Sequence, residues 1–315
     1  GMSIFGIGLA KKTLLADSFY WTDNDFVVQT RSMYGGAPRA GGALFLLDRG
    51  AKVAHNSYFS AERSAEALCN ALTQQQPPGF GVIGPLSWAG EDASGTRAPR
   101  TRGPEDLRPA SDKPAVILLP GICGSHLAVD GKRIWLSFRI VAGLKRLAYP
   151  DTGGVVTADG AIGPIYDDLA AHLRQTHEVI EFSYDWRKPV EDEAQRLAQV
   201  AEAAFTAREG SGQPVRFVAH SMRGVVVPTL QLEMPQLFER LMARPGARVL
   251  MLGTPNGGSW APMQVLSGDD SFGNTLVAFG APFQDHKARA LMAAMPGFLQ
   301  LQAALTDSNQ GLADS

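Results

Sequence analysis

The chain has 315 residues, 45% apolar and 19% charged, with a formal net charge of -2. This composition supports a sizeable core in one large or two ordinary domains, excludes a charge-rich disordered chain, and carries no signature of a nucleic-acid binder. Two cysteines, Cys69 and Cys123, make no disulfide framework and point to a reducing, cytoplasmic setting, and no apolar run reaches the roughly 18 residues of a membrane span.

The opening stretch, MSIFGIGLAKKTLLAD, makes a poor secretory signal, because its charges follow the apolar part and no small-residue cleavage site is present. Residues 2–75 read as an α/β segment. Asp25 stands just before Phe26, Val27 and Val28, as an acid does in a loop running on from a strand end; Asp23 competes for the same place. Gly41 to Asp48, GGALFLLD, reads as a buried strand. A loop with His55, Tyr58 and Phe59 follows, and then a helix from Ser60 to Leu72 with Ser60 as its cap. Acid after one strand, histidine after the next and a closing helix is how an α/β-hydrolase sheet ends. Each residue alone also fits a bland role: Asp25 as a turn former, His55 as a loop histidine bonded to backbone. Residues 76–113 form a connector rich in Gly, Pro, Arg and Asp, with one short strand-like run, GFGVIGPLSW.

From residue 114 to 315 the pattern is that of a parallel sheet with crossover helices. Ala115 to Leu119, AVILL, is a β-branched run suited to a strand covered on both faces. It enters a Gly-rich loop, Pro120 to Ser125, where the Ile122 N–H is a candidate oxyanion donor. The nucleotide-binding glycine motifs are absent, and Cys123 reads as a packed residue. Ile134 to Tyr149 has apolar residues at helical spacing, including Trp135, Phe138, Val141 and Leu144. It fits a helix on the core or a mobile, lipid-facing cap carrying Trp135, Leu136 and Phe138. Helices are expected over 165–174 and 191–207, and strands over 178–182 and 247–252.

Pro214 to Leu230, PVRFVAHSMRGVVVPTL, reads as a strand, a sharp turn at Ser221 and an apolar helix start. That is the form of a nucleophile elbow, which exposes a serine hydroxyl and aims the next N–H, here of Met222, at a developing oxyanion. The outer small positions hold Ala219 and Arg223 where glycines are usual, and Gly224 follows one residue later. An ordinary strand–helix junction with a capping serine fits the same pentapeptide.

Four motifs in order resemble the lecithin:cholesterol acyltransferase family: VILLPGICGSHL, IWL at 134–136, SYDWR at 183–187 and AHSM at the elbow, with LGTPNGGSWAPMQVLSGDD after the next strand. The resemblance spans 114 to about 270. It implies an α/β-hydrolase fold with a mostly parallel central sheet flanked by helices and a partial cap. It also implies a Ser221 nucleophile, oxyanion donors at Ile122 and Met222, acyl esters of lipids as substrates, and a membrane-contacting role for the IWL segment.

The family places its Asp and His after the serine, beyond a long cap. Here His286 alone among histidines follows Ser221, within the helical run QDHKARALMAAM. A circularly permuted arrangement is therefore expected, in the chain order Asp25, His55, Ser221, with strands from 19 to 50 completing the sheet begun at 115. The competing reading is a piece cut from tandem hydrolase modules. Two functions stay open: a serine esterase, lipase or O-acyltransferase working through an acyl-enzyme, and an inactive hydrolase-fold module that binds lipid or a partner. No metal cluster or nucleotide loop is evident, so no cofactor is expected. The expected partners are a small-molecule or lipid ester and a membrane surface, without nucleic acid.

Overall fold

A computed structural model describes residues 28, 30–33, 42–48, 55, 58–59, 62–83, 111–135, 147–150, 153–267 and 285–302. In chain order the elements are α1 (Thr30–Met33), β1 (Ala43–Phe45), α2 (Glu62–Thr73), β2 (Gly81–Ile83), β3 (Ala115–Leu119), β4 (Ser125–Val129), β5 (Lys132–Arg133), β6 (Val156–Ala161), α3 (Gly163–Arg174) and β7 (Glu178–Glu181). They continue as α4 (Val190–Thr206), β8 (Val215–His220), α5 (Arg223–Glu233), α6 (Pro235–Met242), β9 (Arg248–Leu252), α7 (Ala261–Ser267), α8 (Asp285–Ala293) and α9 (Pro296–Leu299).

The central sheet runs β7-β3-β8-β9 with all neighbours parallel. Its strands alternate their side chains between two covered faces, as the period of two requires. Ala115, Ile117, Leu119, Phe217 and Ala219 pack against α4, α5 and α6, through Ala194, Leu197, Val226, Leu230 and Leu241. Val116, Leu118 and Val218 face the other way, onto Leu68 and Leu72 of α2 and Tyr166, Ala170 and Leu173 of α3. Burying Leu68 and Leu72 contributes about 1.5–3 kcal/mol each. An exposed ion pair such as Arg63–Asp48, 3.3 Å apart with Arg63 61% exposed, adds at most about 1 kcal/mol. The apolar stripe therefore seats α2.

A second sheet, β5-β4-β6, is antiparallel and stands beside the loop that follows β3. The Ile134 and Trp135 amides both donate to the Leu127 carbonyl, at 2.8 and 3.3 Å. These two residues thus close the β4–β5 hairpin, where the sequence pattern placed the start of a helix; residues 136–146 lie outside the described residues.

The N-terminal segment differs from expectation in one respect. β1 pairs antiparallel with β2, and among the described residues it has no ladder with the central sheet. Leu44 is 48% exposed, so β1 is covered on one face and not, as its apolar run suggested, on both. Residues 19–27 lie outside the described residues. The segment reaches the β9 edge by other bonds. Ser32 Oγ donates to the Gly258 carbonyl (2.5 Å), the Gly257 N–H to the Ser32 carbonyl (2.9 Å), Asn256 Nδ2 to the Met33 carbonyl (2.9 Å) and Arg248 Nη2 to the Gln74 carbonyl (3.1 Å).

Candidate active site

The C-terminal ends of β3, β7, β8 and β9 converge on one place, as ligand sites do in open parallel sheets. β8 ends at His220 and α5 begins at Arg223, so Ser221 and Met222 make the entire turn. Ser221 has φ of 57°, a left-handed conformation that costs a non-glycine residue on the order of 1–3 kcal/mol. Neighbouring bonds hold it there: the Ser221 N–H donates to the Leu252 carbonyl at 2.8 Å, and the Gly224 N–H to the Ser221 carbonyl at 2.9 Å. His55 Nε2 lies 2.6 Å from Ser221 Oγ, with both residues buried. At that distance a neutral imidazole nitrogen can accept the hydroxyl proton.

The loop after β3 closes on the same serine. A side chain at Gly121 would bring a Cβ within 2.9 Å of Ser221 Cβ, so glycine alone lets the loop come this near. Gly121 N–H is taken by the Tyr166 hydroxyl at 2.8 Å. Among the described residues, neither the Ile122 N–H nor the Met222 N–H has a protein acceptor, which leaves two donors beside the elbow. Cys123, also left-handed at φ of 58°, is buried, and burial pushes its thiol up to about 12. It stays protonated and packs against the Trp135–Trp186 cluster.

Arg223 leaves the elbow open. Its side chain is fully buried, with the guanidinium carbon 2.8 Å from the Tyr184 ring centroid and 4.7 Å from that of Phe182. Nη2 lies 3.7 Å from Glu193 Oε2, and none of its three nitrogens is hydrogen-bonded. Burial lowers its pKa to about 10, against the opposing pull of Tyr184 and Glu193. The close approach of helix and strand falls at Gly224 instead, where a Cβ would lie 1.7 Å from Thr254 Oγ1.

The SYDWR residues brace the wall of the site. Asp185 Oδ1 and Oδ2 accept from Arg187 Nε (2.8 Å) and Nη2 (2.7 Å), and Arg187 Nη1 donates to the Leu147 and Ala148 carbonyls. The Gly297 N–H of α9 donates to the Arg187 carbonyl at 3.1 Å. The Ser125 hydroxyl accepts from the Tyr184 N–H at 3.2 Å. One motif therefore ties the oxyanion loop's exit, the 147–150 segment and α9 together.

Of the sequence-derived site residues, the structure brings together His55, Ser221, Ile122 and Met222. Asp25, its competitor Asp23, Leu136 and Phe138 lie outside the described residues. Trp135 is a correction. It is 5% exposed, its indole N–H donates to the Cys123 carbonyl at 2.8 Å, and it stands edge-on to Trp186 at 5.2 Å, so it packs inside and is not a membrane-facing residue. His286 lies in α8, as its helical surroundings led one to expect. The sequence reading gave no role to His220 or Tyr166. The signal for His220 was present: a polar side chain at the end of an apolar strand, next to the serine. Tyr166 was hidden on the buried face of an amphipathic helix.

The doubly covered parallel sheet, the left-handed serine turn after β8 and the glycine loop after β3 define an α/β-hydrolase fold. A family model for lecithin:cholesterol acyltransferase matches residues 136–296, about half of the chain, and the protein belongs to that family. Membership carries a lipid acyltransferase or esterase character and lipid esters as the substrate class. No curated protein matches the chain.

Proposed function

We propose that the protein is a serine-dependent lipid esterase or O-acyltransferase whose base comes from the N-terminal segment. The observation that carries this reading is the 2.6 Å contact between His55 Nε2 and the Oγ of Ser221, a residue held in left-handed backbone, with both residues buried. Ser221 Oγ attacks the ester carbonyl as its proton passes to His55 Nε2. The Ile122 and Met222 N–H groups hold the oxyanion of the tetrahedral intermediate. When that intermediate collapses, the leaving alkoxide takes the proton from His55 and the acyl group stays on Ser221. Water or an alcohol then repeats the sequence in reverse, giving a free acid or a new ester. Asp25 is assigned to orient the imidazole, which makes the order Asp25, His55, Ser221 a circular permutation of the family's own. The free cysteines, Cys69 and Cys123, support a cytoplasmic setting.

The test is labelling by a fluorophosphonate serine probe. We expect the native chain and His286→Ala to label, and Ser221→Ala, His55→Ala and Asp25→Ala to lose labelling or slow severely. Labelling that survives His55→Ala would remove His55 as the base. An unlabelled native chain would favour the inactive lipid-binding module. Phospholipid and neutral-lipid esters offered with and without a long-chain alcohol then separate hydrolysis from transfer, by free fatty acid against new ester.

A further inference from the structure

We propose that His220, the residue before the nucleophile, is a positioning residue that joins the oxyanion loop to the base loop through Tyr166. This rests on the reading of Ser221 and His55 given above. Three bonds run in series, each at 2.8 Å: Gly121 N–H to the Tyr166 hydroxyl, that hydroxyl with His220 Nδ1, and His220 Nε2 with the His55 backbone carbonyl.

Their direction follows from the end groups. A backbone carbonyl only accepts, so Nε2 carries the hydrogen and donates to His55. In neutral His220, Nδ1 then accepts, and the proton it accepts is that of the Tyr166 hydroxyl. The Tyr166 oxygen keeps a lone pair for the Gly121 N–H. Burial raises the Tyr166 pKa, which keeps the phenol protonated and able to donate. Each group in the series satisfies its neighbour, and a buried polar chain of this kind is rigid only when complete.

The consequence is geometric. Gly121 precedes the Ile122 donor, and the clamped carbonyl belongs to the same residue whose ring meets Ser221. His220 itself is fixed by β8, where it pairs with Leu252. The rigid strand end thus sets the heights of the oxyanion loop on one side and the base on the other. Phe59 closes the arrangement, with its ring 5.3 Å from that of His220 and 5.5 Å from that of Tyr166. Without the series the base loop, which has no ladder to the central sheet among the described residues, loses its bond to the elbow strand.

The experiment measures fluorophosphonate labelling in the full chain, separating the maximal labelling rate from the probe's half-saturating concentration. Melting temperature is recorded for every variant. His220→Leu removes the donor and is expected to slow maximal labelling by about 10²-fold, the size of effect that a 1 Å misplacement produces, with half-saturation unchanged. His220→Gln places an amide N–H near the Nε2 position and is expected to recover most of that loss at a melting temperature equal to that of His220→Leu. Tyr166→Phe breaks the series without changing volume and is expected to slow labelling about tenfold. A His220→Leu chain that labels at the native rate overturns the proposal, as does a His220→Gln chain no faster than His220→Leu. If His220→Leu does not fold, Tyr166→Phe decides: a slowed rate supports the series and a native rate overturns it. An unlabelled native chain overturns the Ser221–His55 reading and the proposal with it, whereas native labelling with indifferent variants overturns the proposal alone.

Discussion

Arg223 carries a charge into the core beneath the elbow, where its nitrogens have only Glu193 at 3.7 Å and two aromatic rings. Glu193 keeps a second partner, Arg196, at 3.1 Å. Replacing a poorly bonded buried ion by a hydrophobic side chain of similar volume is often neutral or stabilising, by about 1–4 kcal/mol. We therefore expect Arg223→Met to hold or raise the urea midpoint, and Gly224→Ala, which drives a Cβ into Thr254, to lower it through a loss of about 1–3 kcal/mol in stability. His177 makes a pH prediction. Burial, and then Arg216, lower its pKa below the ordinary value. In the unfolded chain it binds a proton more readily, so stability rises with pH across the window between the folded value and about 6.5, and falls as pH drops through that window. Urea midpoints measured from pH 7 to 5 should decline, and His177→Gln should flatten the decline.

At the scale of elements, the SYDWR strand exit behaves as a brace. Removing Arg187 strands a buried carboxylate and unpairs the Leu147 and Ala148 carbonyls together. We expect Arg187→Ala to cost about 3–5 kcal/mol, and Arg187→Lys to recover only part, because an ammonium lacks the planar fork that Asp185 accepts. Denaturant titration checks the size. Fluorescence from the Trp135–Trp186 pair, 5.2 Å apart, reports whether the wall of the site loosens before the sheet does. Trp135 departs from its sequence pattern for a backbone reason. Its spacing matched a helical stripe, yet Leu127 offered its backbone carbonyl to two successive amides and the hairpin took both.

Two residues 166 positions apart, His55 and Ser221, come within hydrogen-bond reach of each other. The His55 segment joins the body through α2's apolar stripe, through the Ser32 hydroxyl and carbonyl and the Met33 and Gln74 carbonyls, and through the His220 bond. These contacts lie within one chain. Mixing Ser221→Ala chains with His55→Ala chains should therefore restore no labelling at any concentration. Labelling that appeared on mixing, and grew with concentration, would mean that the halves pair between chains, as tandem modules could.

The buried strands of the central sheet, the elbow and the glycine loop were legible in the sequence, because each depends on local chemistry. β-branched runs form strands, glycine admits close approach, and a serine between an apolar strand and an apolar helix can sit at a left-handed turn. The family resemblance was legible for the same reason, being carried by short contiguous motifs. The order of elements singled out His55, but tertiary structure decided what depends on distant groups meeting: that its Nε2 stands 2.6 Å from Ser221 Oγ, that Gly224 lies against Thr254, that Trp135 turns inward, and that β1 pairs with β2. Periodicity and spacing leave such meetings open, because hydrogen bonds and close contacts are set by position in three dimensions, and a sequence displays only its order along the chain.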